Sequence, residues 1–389
     1  MNIDRIIFSQ LMDFIPKHHF DQCVRRHGGN HRIRSFSCFD QFLCMAFAQL
    51  TFRESLRDIE TCLRAMELKL YHAGFRGHIS RSTIADANES RAWQIYADFA
   101  GMLISKARTL YANESFGIEL AHTAYALDTT TIDLCLTLFP WAQFRRHKSA
   151  VNVHTLMDLR GSIPCFVRIT SGSVREVRIL DELPIDPGAF YIIDKAFTDF
   201  TRLYTFTKNM AYFVIRAKVN LDYARGSYRP VDKTTGLRSD QTITLQGPKT
   251  SLNYPVPLRR ISYYDAENDR KLVFLTNNFK LDPLVIAQLY KCRWQIELFF
   301  KWIKQNLHIK AFFGTSENAV KTQIWIAVSV YVLIAIIKKE LRLERSLAEI
   351  LQILSITLFE KVQLRQALTD VYTQNDISKN YNQLSLFNL

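Results

Sequence analysis

The stretch LYKCRWQIELFFKWIKQNLHIK, residues 289–310, carries helical periodicity on two adjoining faces at once. Tyr290, Arg293, Glu297 and Lys304 follow one another at offsets of three, four and seven residues, and at ~100° of turn per residue they share an arc of roughly 60°. Leu289, Cys292, Ile296, Phe299, Phe300, Ile303 and Leu307 fill the neighbouring arc of roughly 100°, the width of a core-facing stripe. The predicted helix, which opens after Pro283, thus has a buried face and, beside it, one acid framed by two cations and a phenol. A lone glutamate on a helix is ordinarily half of a solvated ion pair, so the reading turns on what the rest of the chain supplies.

The composition narrows the classes. A chain of 389 residues with 48% hydrophobic content is long enough for roughly two or three cored domains and is neither disordered nor fibrous. Its formal charge of +13 favours a polyanionic partner, nucleic acid before an acidic membrane surface. Residues 1–127 hold 15 Lys/Arg against 13 Asp/Glu, which leaves 35 against 24 for 128–389, so the basic excess belongs to the later part. Seven dispersed cysteines without a C-x-x-C pair argue against a disulfide framework or structural zinc. The amino terminus, MNIDRIIFSQ, lacks the cationic lead and apolar run of a secretory signal, and a cytoplasmic protein is expected. The uncharged run Ile324–Ile337 has fourteen residues, short of the roughly 20 that span a bilayer, and is read as a buried core helix.

Residues 1–115 read as an all-α region, with apolar residues at three and four spacing in FDQFLCMAFAQLTF and RAWQIYADFAGMLISKARTLY. Ser55 to Asp58 resembles a capping box, and Gly74 and Gly77 break the pattern before a new start at Ser80 or Ser82. The short helix that follows would present Arg81, Ser82, Thr83, Asn88 and Arg91, side chains suited to phosphates and base edges in a helix-turn-helix; Ser, Thr and Asn also cap helices for structural reasons. The seven histidines of residues 1–127 show no metal-ligand spacing.

From about residue 122 strands alternate with helices, which implies an α/β domain with a mixed sheet. AYALD ends an apolar run at Asp128, VNVHTLMDLRGSIPCFVRITSG is a hairpin around Arg160-Gly161, and FYIID is a strand ending at Asp194. Helices are predicted near 175–183 and 198–209, before the strand YFVIRA. Residues 217–262 read as an inserted β-rich subdomain, RRISYY and KLVFLTN as a further hairpin, and helices follow near 316–341 and 346–368 before a polar tail at 369–389. Acids at the ends of adjacent strands point into the crevice where open α/β sheets bind ligands. Asp128 and Asp194 could join Glu297 there, with Asp133, Asp158 and Asp199 as rivals. Three converging carboxylates repel one another unless divalent cations neutralise them, and such oxygen-rich sets suit Mg²⁺ or Mn²⁺.

LDTTTIDL around Asp128, YIIDKAF around Asp194 and the Y-x2-R-x3-E-x6-K pattern from Tyr290 to Lys304 resemble the signature regions of DDE transposases of the insertion-sequence-4 family. The resemblance covers nearly the whole chain, including SENAVKTQIW after the glutamate helix. It implies an RNase H-like mixed-sheet catalytic domain with an inserted β-rich subdomain and an all-α N-terminal DNA-binding region. The divisions expected are 1–115, 116–216, 217–262, 263–345 and 346–389, the catalytic domain lying in the second and fourth. It further implies Asp128, Asp194 and Glu297 as the catalytic, metal-binding triad with two Mg²⁺ or Mn²⁺ ions, and Tyr290, Arg293 and Lys304 as DNA contacts. Lys301, Arg81, Ser82 and Arg91 are expected as further DNA contacts. The implied reaction is cut-and-paste transposition through end nicking, a hairpin intermediate and strand transfer. The implied partners are duplex DNA with terminal inverted repeats, target DNA and a second protomer in a synaptic dimer, with no membrane. Two departures stand out. Lys195-Ala196-Phe197 replaces the usual Arg-Gly-Tyr, and residues 217–262 contain no tryptophan to clamp a flipped base, leaving Tyr223, Tyr228 or Tyr254 as possible stackers. A non-catalytic DNA-binding protein and a membrane protein are the competing classes.

Overall fold

The structure, a computed structural model, describes residues 5–75, 77–146, 148–306 and 312–369; Leu307 of the apolar stripe and the tail from 370 onward lie outside them. Helices α1 (Ile7–Met12), α2 (Lys17–Arg26), α3 (Cys38–Leu50), α4 (Leu56–Ala65), α5 (Glu67–Leu70), α6 (Arg81–Ser90) and α7 (Gln94–Leu110) make the helical amino-terminal region. Ser55 and Ser80 cap α4 and α6 by accepting from the Asp58 and Thr83 N–H groups, as short polar side chains do at helix starts. Strands and helices then alternate: β1 (Ala124–Leu134), β2 (Gln143–Arg145), β3 (Lys148–Asp158), β4 (Ile163–Ser171), β5 (Phe190–Ile193), α8 (Phe200–Lys208), β6 (Tyr212–Arg216), β7 (Tyr223–Arg229), β8 (Leu237–Leu245), α9 (Pro248–Asn253), β9 (Leu258–Asp265) and β10 (Arg270–Thr276). Five helices close the described chain: α10 (Pro283–Cys292), α11 (Trp294–Asn306), α12 (Glu317–Glu340), α13 (Leu347–Thr357) and α14 (Leu364–Leu368).

All ten strands form one mixed sheet in the order β2-β3-β1-β5-β6-β10-β9-β8-β7, with β4 also paired to β3. β4 and β1 each pair antiparallel to β3, whereas β5 and β6 run parallel to β1. Three antiparallel strands followed by two parallel ones make the RNase H-like core. The segment 217–262 supplies β7, β8 and the start of β9, which join that sheet through β10.

Strand side chains alternate between faces, and here both faces are covered. Ala124, Ala126, Ile192, Val214 and Phe274 enter a large core with the helical region and α10–α14. Their neighbours Tyr125, Leu127, Ile193, Ile215 and Leu275 enter a second core with α8. α12 is the spine of the first core: Val320 to Ile337 is buried almost without a break. It is also long and apolar enough to cross a membrane, and is the one such helix among the described residues, but 89% of its apolar window is buried within the protein.

The β3–β4 turn depends on Gly161. Its φ is +71°, and a Cβ there would come within 2.1 Å of the Tyr111 ring, so both the left-handed backbone and the lack of a side chain are needed.

Three expectations are revised. The helix after Pro283 is interrupted at Arg293, where Arg293 N–H donates to the Tyr290 carbonyl (3.2 Å) and Ile296 N–H to the Arg293 carbonyl (3.1 Å); these i to i+3 bonds are the tighter 3₁₀ geometry. The segment 175–183 folds as a 3₁₀ turn over Glu176–Asp181. The segment 346–368 divides into α13 and α14 because the Leu358 and Glu360 carbonyls accept from Phe8 and Ile7 at the start of α1, whose first N–H groups have no partner within their own helix.

Candidate active site

Parallel register brings the two aspartates together. Ala126 pairs with Ile192 and Leu127 with Ile193, so Asp128 and Asp194 come next on strands ~4.8 Å apart, both in step with the residues that face α10–α12. Asp194 follows the last residue of β5, as expected. Asp128 does not end its strand. β1 runs on to Leu134 through Thr129, Thr130 and Thr131, paired with β3, because β-branched threonines suit a pleated strand; only the parallel pairing stops. Asp128 therefore sits where the parallel part of the sheet ends and the antiparallel strands β1, β3 and β4 run on together.

α11 packs against β1 and supplies the third acid. Arg293 lies between the acids: Nη1 donates to Asp128 Oδ2 at 2.7 Å and Nη2 to Glu297 Oε1 at 2.6 Å. Its Nε is buried and has no acceptor. Tyr290 Oη donates a long bond to Asp194 Oδ1, 3.4 Å, and its ring packs on Phe274. Burial pushes the Tyr290 hydroxyl up to about 12, which keeps it a donor. Asp128 also accepts from Thr129 N–H at 2.8 Å. Burial, reinforced by Asp194 and Glu297, still raises its carboxyl above the usual range against the pull of Arg293 and that N–H. The Asp194 carboxylate accepts from Ala196 N–H at 3.3 Å within the turn Lys195–Phe197, whose Phe197 is buried.

A half-buried acid absent from the sequence reading, Glu176, stands near the pair. Burial first, then Asp128 and Asp194, raises its carboxyl, and it has no hydrogen bond or ion pair among the described residues. Only an acid beginning a short turn marked it in the sequence, a signal shared by many surface carboxylates. Behind Asp128, His154 is buried between Thr129 Oγ1 (2.7 Å) and Thr170 Oγ1 (2.9 Å); burial and Arg168 lower it to about 4, so it is neutral.

The other candidates separate clearly. Asp133 is exposed, Asp158 binds the Arg160 N–H beside Arg108, and Asp199 caps α8 and pairs with Arg202. Lys301 and Lys304 are exposed on α11, Lys304 two turns beyond Glu297. Arg81 and Ser82 are exposed at the start of α6. Arg91 is not available to DNA: it is 8% exposed and donates to the Phe36 and Ser37 carbonyls and Gln41 Oε1. Asn88 is likewise buried, against Gln41. Tyr254 is wholly buried and bonded to Thr207, which leaves Tyr228, exposed on β7, as the freer aromatic.

Among the described residues no three His, Cys, Asp or Glu side chains already form a closed metal cage; the guanidinium spans two of the acids instead. The donor set nevertheless suits a hard divalent ion. It is all oxygen, Asp194 and Glu297 both help to raise the Asp128 carboxyl, and the cation between the acids leaves one N–H unmet, so exchange for a metal would give up two hydrogen bonds and no saturated network.

Residues 119–333 match the family described as Transposase DDE domain, and residues 4–76 match a domain family of unknown function, DUF4372. The transposase-type protein y4zB of Sinorhizobium fredii is 30% identical over 282 residues, 72% of this chain and 77% of that protein. A transposase-type protein of insertion sequence element IS5377 from Geobacillus stearothermophilus is 30% identical over 255 residues, 65% of this chain and 66% of its own length. A cryo-EM structure of the piggyBac transposase synaptic complex with hairpin DNA aligns over 95% of this chain and 87% of that one, at a TM-score of 0.47 and 10% identity. With a family match that spans its sheet and both helices bearing Tyr290 and Glu297, the chain belongs to the DDE transposases.

Proposed function

We propose that this transposase moves an insertion sequence of the insertion-sequence-4 type by cut-and-paste transposition, with Asp128, Asp194 and Glu297 as its catalytic acids. The observation that carries the reading is the Arg293 bridge: one guanidinium joins the acid of β1 to the acid of α11 while Tyr290 of the same helical segment reaches the acid after β5. The three acids would hold two Mg²⁺ or Mn²⁺ ions, which when bound activate the attacking oxygen and stabilise the leaving one.

The chain's own residues position the substrate. Arg293, released from Asp128 and Glu297, offers a planar fork to the scissile phosphate. Tyr290 donates its hydroxyl, and Lys304 adds a point charge further along the backbone. Lys301 and, on α6, Arg81 and Ser82 extend the contacts. Water attacks the phosphorus at the element end and frees a 3′-hydroxyl. That hydroxyl attacks the opposite strand to close a hairpin, water reopens it, and the same hydroxyl attacks target DNA. Each step exchanges one P–O bond for another, so positioning and charge stabilisation suffice. Paired ends call for two protomers in a synaptic dimer, acting in the cytoplasm on the nucleoid, with α12 as core and no membrane involved.

The test is a plasmid carrying the reading frame's native flanks, incubated with purified protein. Divalent-dependent nicks at inverted repeats, followed by hairpin-ended excision products, are expected. Element ends left intact with Mg²⁺ or Mn²⁺, although the protein binds them, would reject the reading.

A further inference from the structure

The flank of α11 turned away from the catalytic acids borders a groove of about 1110 Å³. Its charged lining is Lys301 of α11, Lys338 and Lys339 from the last turn of α12, Arg342 just beyond, and a single acid, Glu114, which is bound to Lys339. Lys338 and Lys339 could be explained by the helix end alone, since cations are favoured there. Lys301 and Arg342 have no such reason; both are exposed, and neither makes an ion pair among the described residues. Trp302, 8% exposed, also lines the groove, and its indole N–H has no acceptor. The start of α13 opens on the same space, with its Ser346 and Glu349 N–H groups satisfied by their own capping box, and the cations carry the argument.

We infer that this groove holds the sugar-phosphate backbone of duplex DNA on one side of the cleavage point. Lys301 lies one turn from Glu297 on the outer surface of α11, between the acids and the groove. A duplex crossing α11 would pass from the acids over Lys301 to Lys338 and Arg342, where four cations against one carboxylate complement phosphate. The inference rests on the proposed DNA cleavage, but binding tests it independently of activity.

The experiment measures affinity of a fluorescein-labelled duplex of arbitrary sequence, without divalent ions, across a salt series. For the double variant Lys338→Glu with Arg342→Glu, affinity should fall about tenfold or more, and the slope of log affinity against log salt should shrink by about two. Lysine acetylation of the wild-type protein should show Lys301 and Lys338 protected by the duplex. This needs no variant to fold. Unchanged affinity and slope in a folded variant, or equal acetylation with and without duplex, would overturn the inference, as would protection by phosphatidylglycerol vesicles but not by duplex. Wild-type protein that binds in the groove but leaves element ends uncut would instead refute the proposed reaction and spare the groove.

Discussion

Two arginines, buried Arg259 in the sheet and half-buried Arg293 at its end, show how the same chemistry serves different purposes. Arg259 is 2% exposed and grips Asp240 with two parallel bonds, Nε to Oδ1 at 2.9 Å and Nη2 to Oδ2 at 2.7 Å. Its remaining nitrogen donates to the carbonyls of Asn278 and Leu281. Every group is satisfied, so the cluster ties β8 and β9 to the loop before α10 and has no reason to change. Arg293 instead gives single bonds to two acids on different elements and keeps an unmet N–H. A saturated ion pair is structure; the unsaturated one beside three acids is the arrangement on which the proposed catalytic site rests.

The contrast can be broken most sharply through chemistry. Glu297→Gln keeps the shape of the Arg293 contact but removes a charge, and strand cleavage should fall about a thousandfold or more, while the melting temperature barely moves. Next comes stability. Arg259→Ala strands a buried aspartate and should cost about 3–5 kcal/mol; Arg293→Ala, whose partners are partly solvated, should cost less than half of that. Equal losses in chemical denaturation of the two variants would erase the distinction.

His154 sharpens the same comparison by pH. It is neutral in the fold down to about 4 but titrates near 6.5 when unfolded. Below 6.5 the unfolded chain therefore binds the extra proton, and stability should be lost as pH falls from about 6.5 to 4, by up to about 3 kcal/mol. His154→Gln should flatten that part of the stability curve, followed by thermal melting at each pH. The smallest effect belongs to Lys304→Ala: DNA affinity should drop a few-fold and the salt slope by about one, with cleavage at saturating DNA little changed.

Much of this site could be read from residue order, for physical reasons. Tyr290, Arg293 and Glu297 lie within two turns of a nearly continuous helical stretch, so the helix period brings them to one side despite the tightened turn at Arg293. Asp128 and Asp194 follow apolar strand runs, YAL and YII, that mark the buried centre of a sheet. What was hidden depends on contacts distant in sequence. Arg293 is a good helix former, and nothing local announces the tightened turn there. The three threonines suit a strand, but that β1 continues past Asp128 is fixed by its pairing with β3, more than twenty residues away in places. Arg91 looked like an exposed cation because the carbonyls of Phe36 and Ser37 that absorb it lie over fifty residues away. Glu176 and the groove beside α11 are assembled from separate segments, and no spacing rule relates them.

The central claim is tested most directly by Asp194→Ala, assayed side by side for duplex binding by fluorescence anisotropy and for Mg²⁺-dependent cleavage of the element ends. Wild-type affinity with cleavage abolished is the predicted result. Cleavage by the variant at the wild-type rate would contradict the account, because the acid after β5 would then have no part in the reaction.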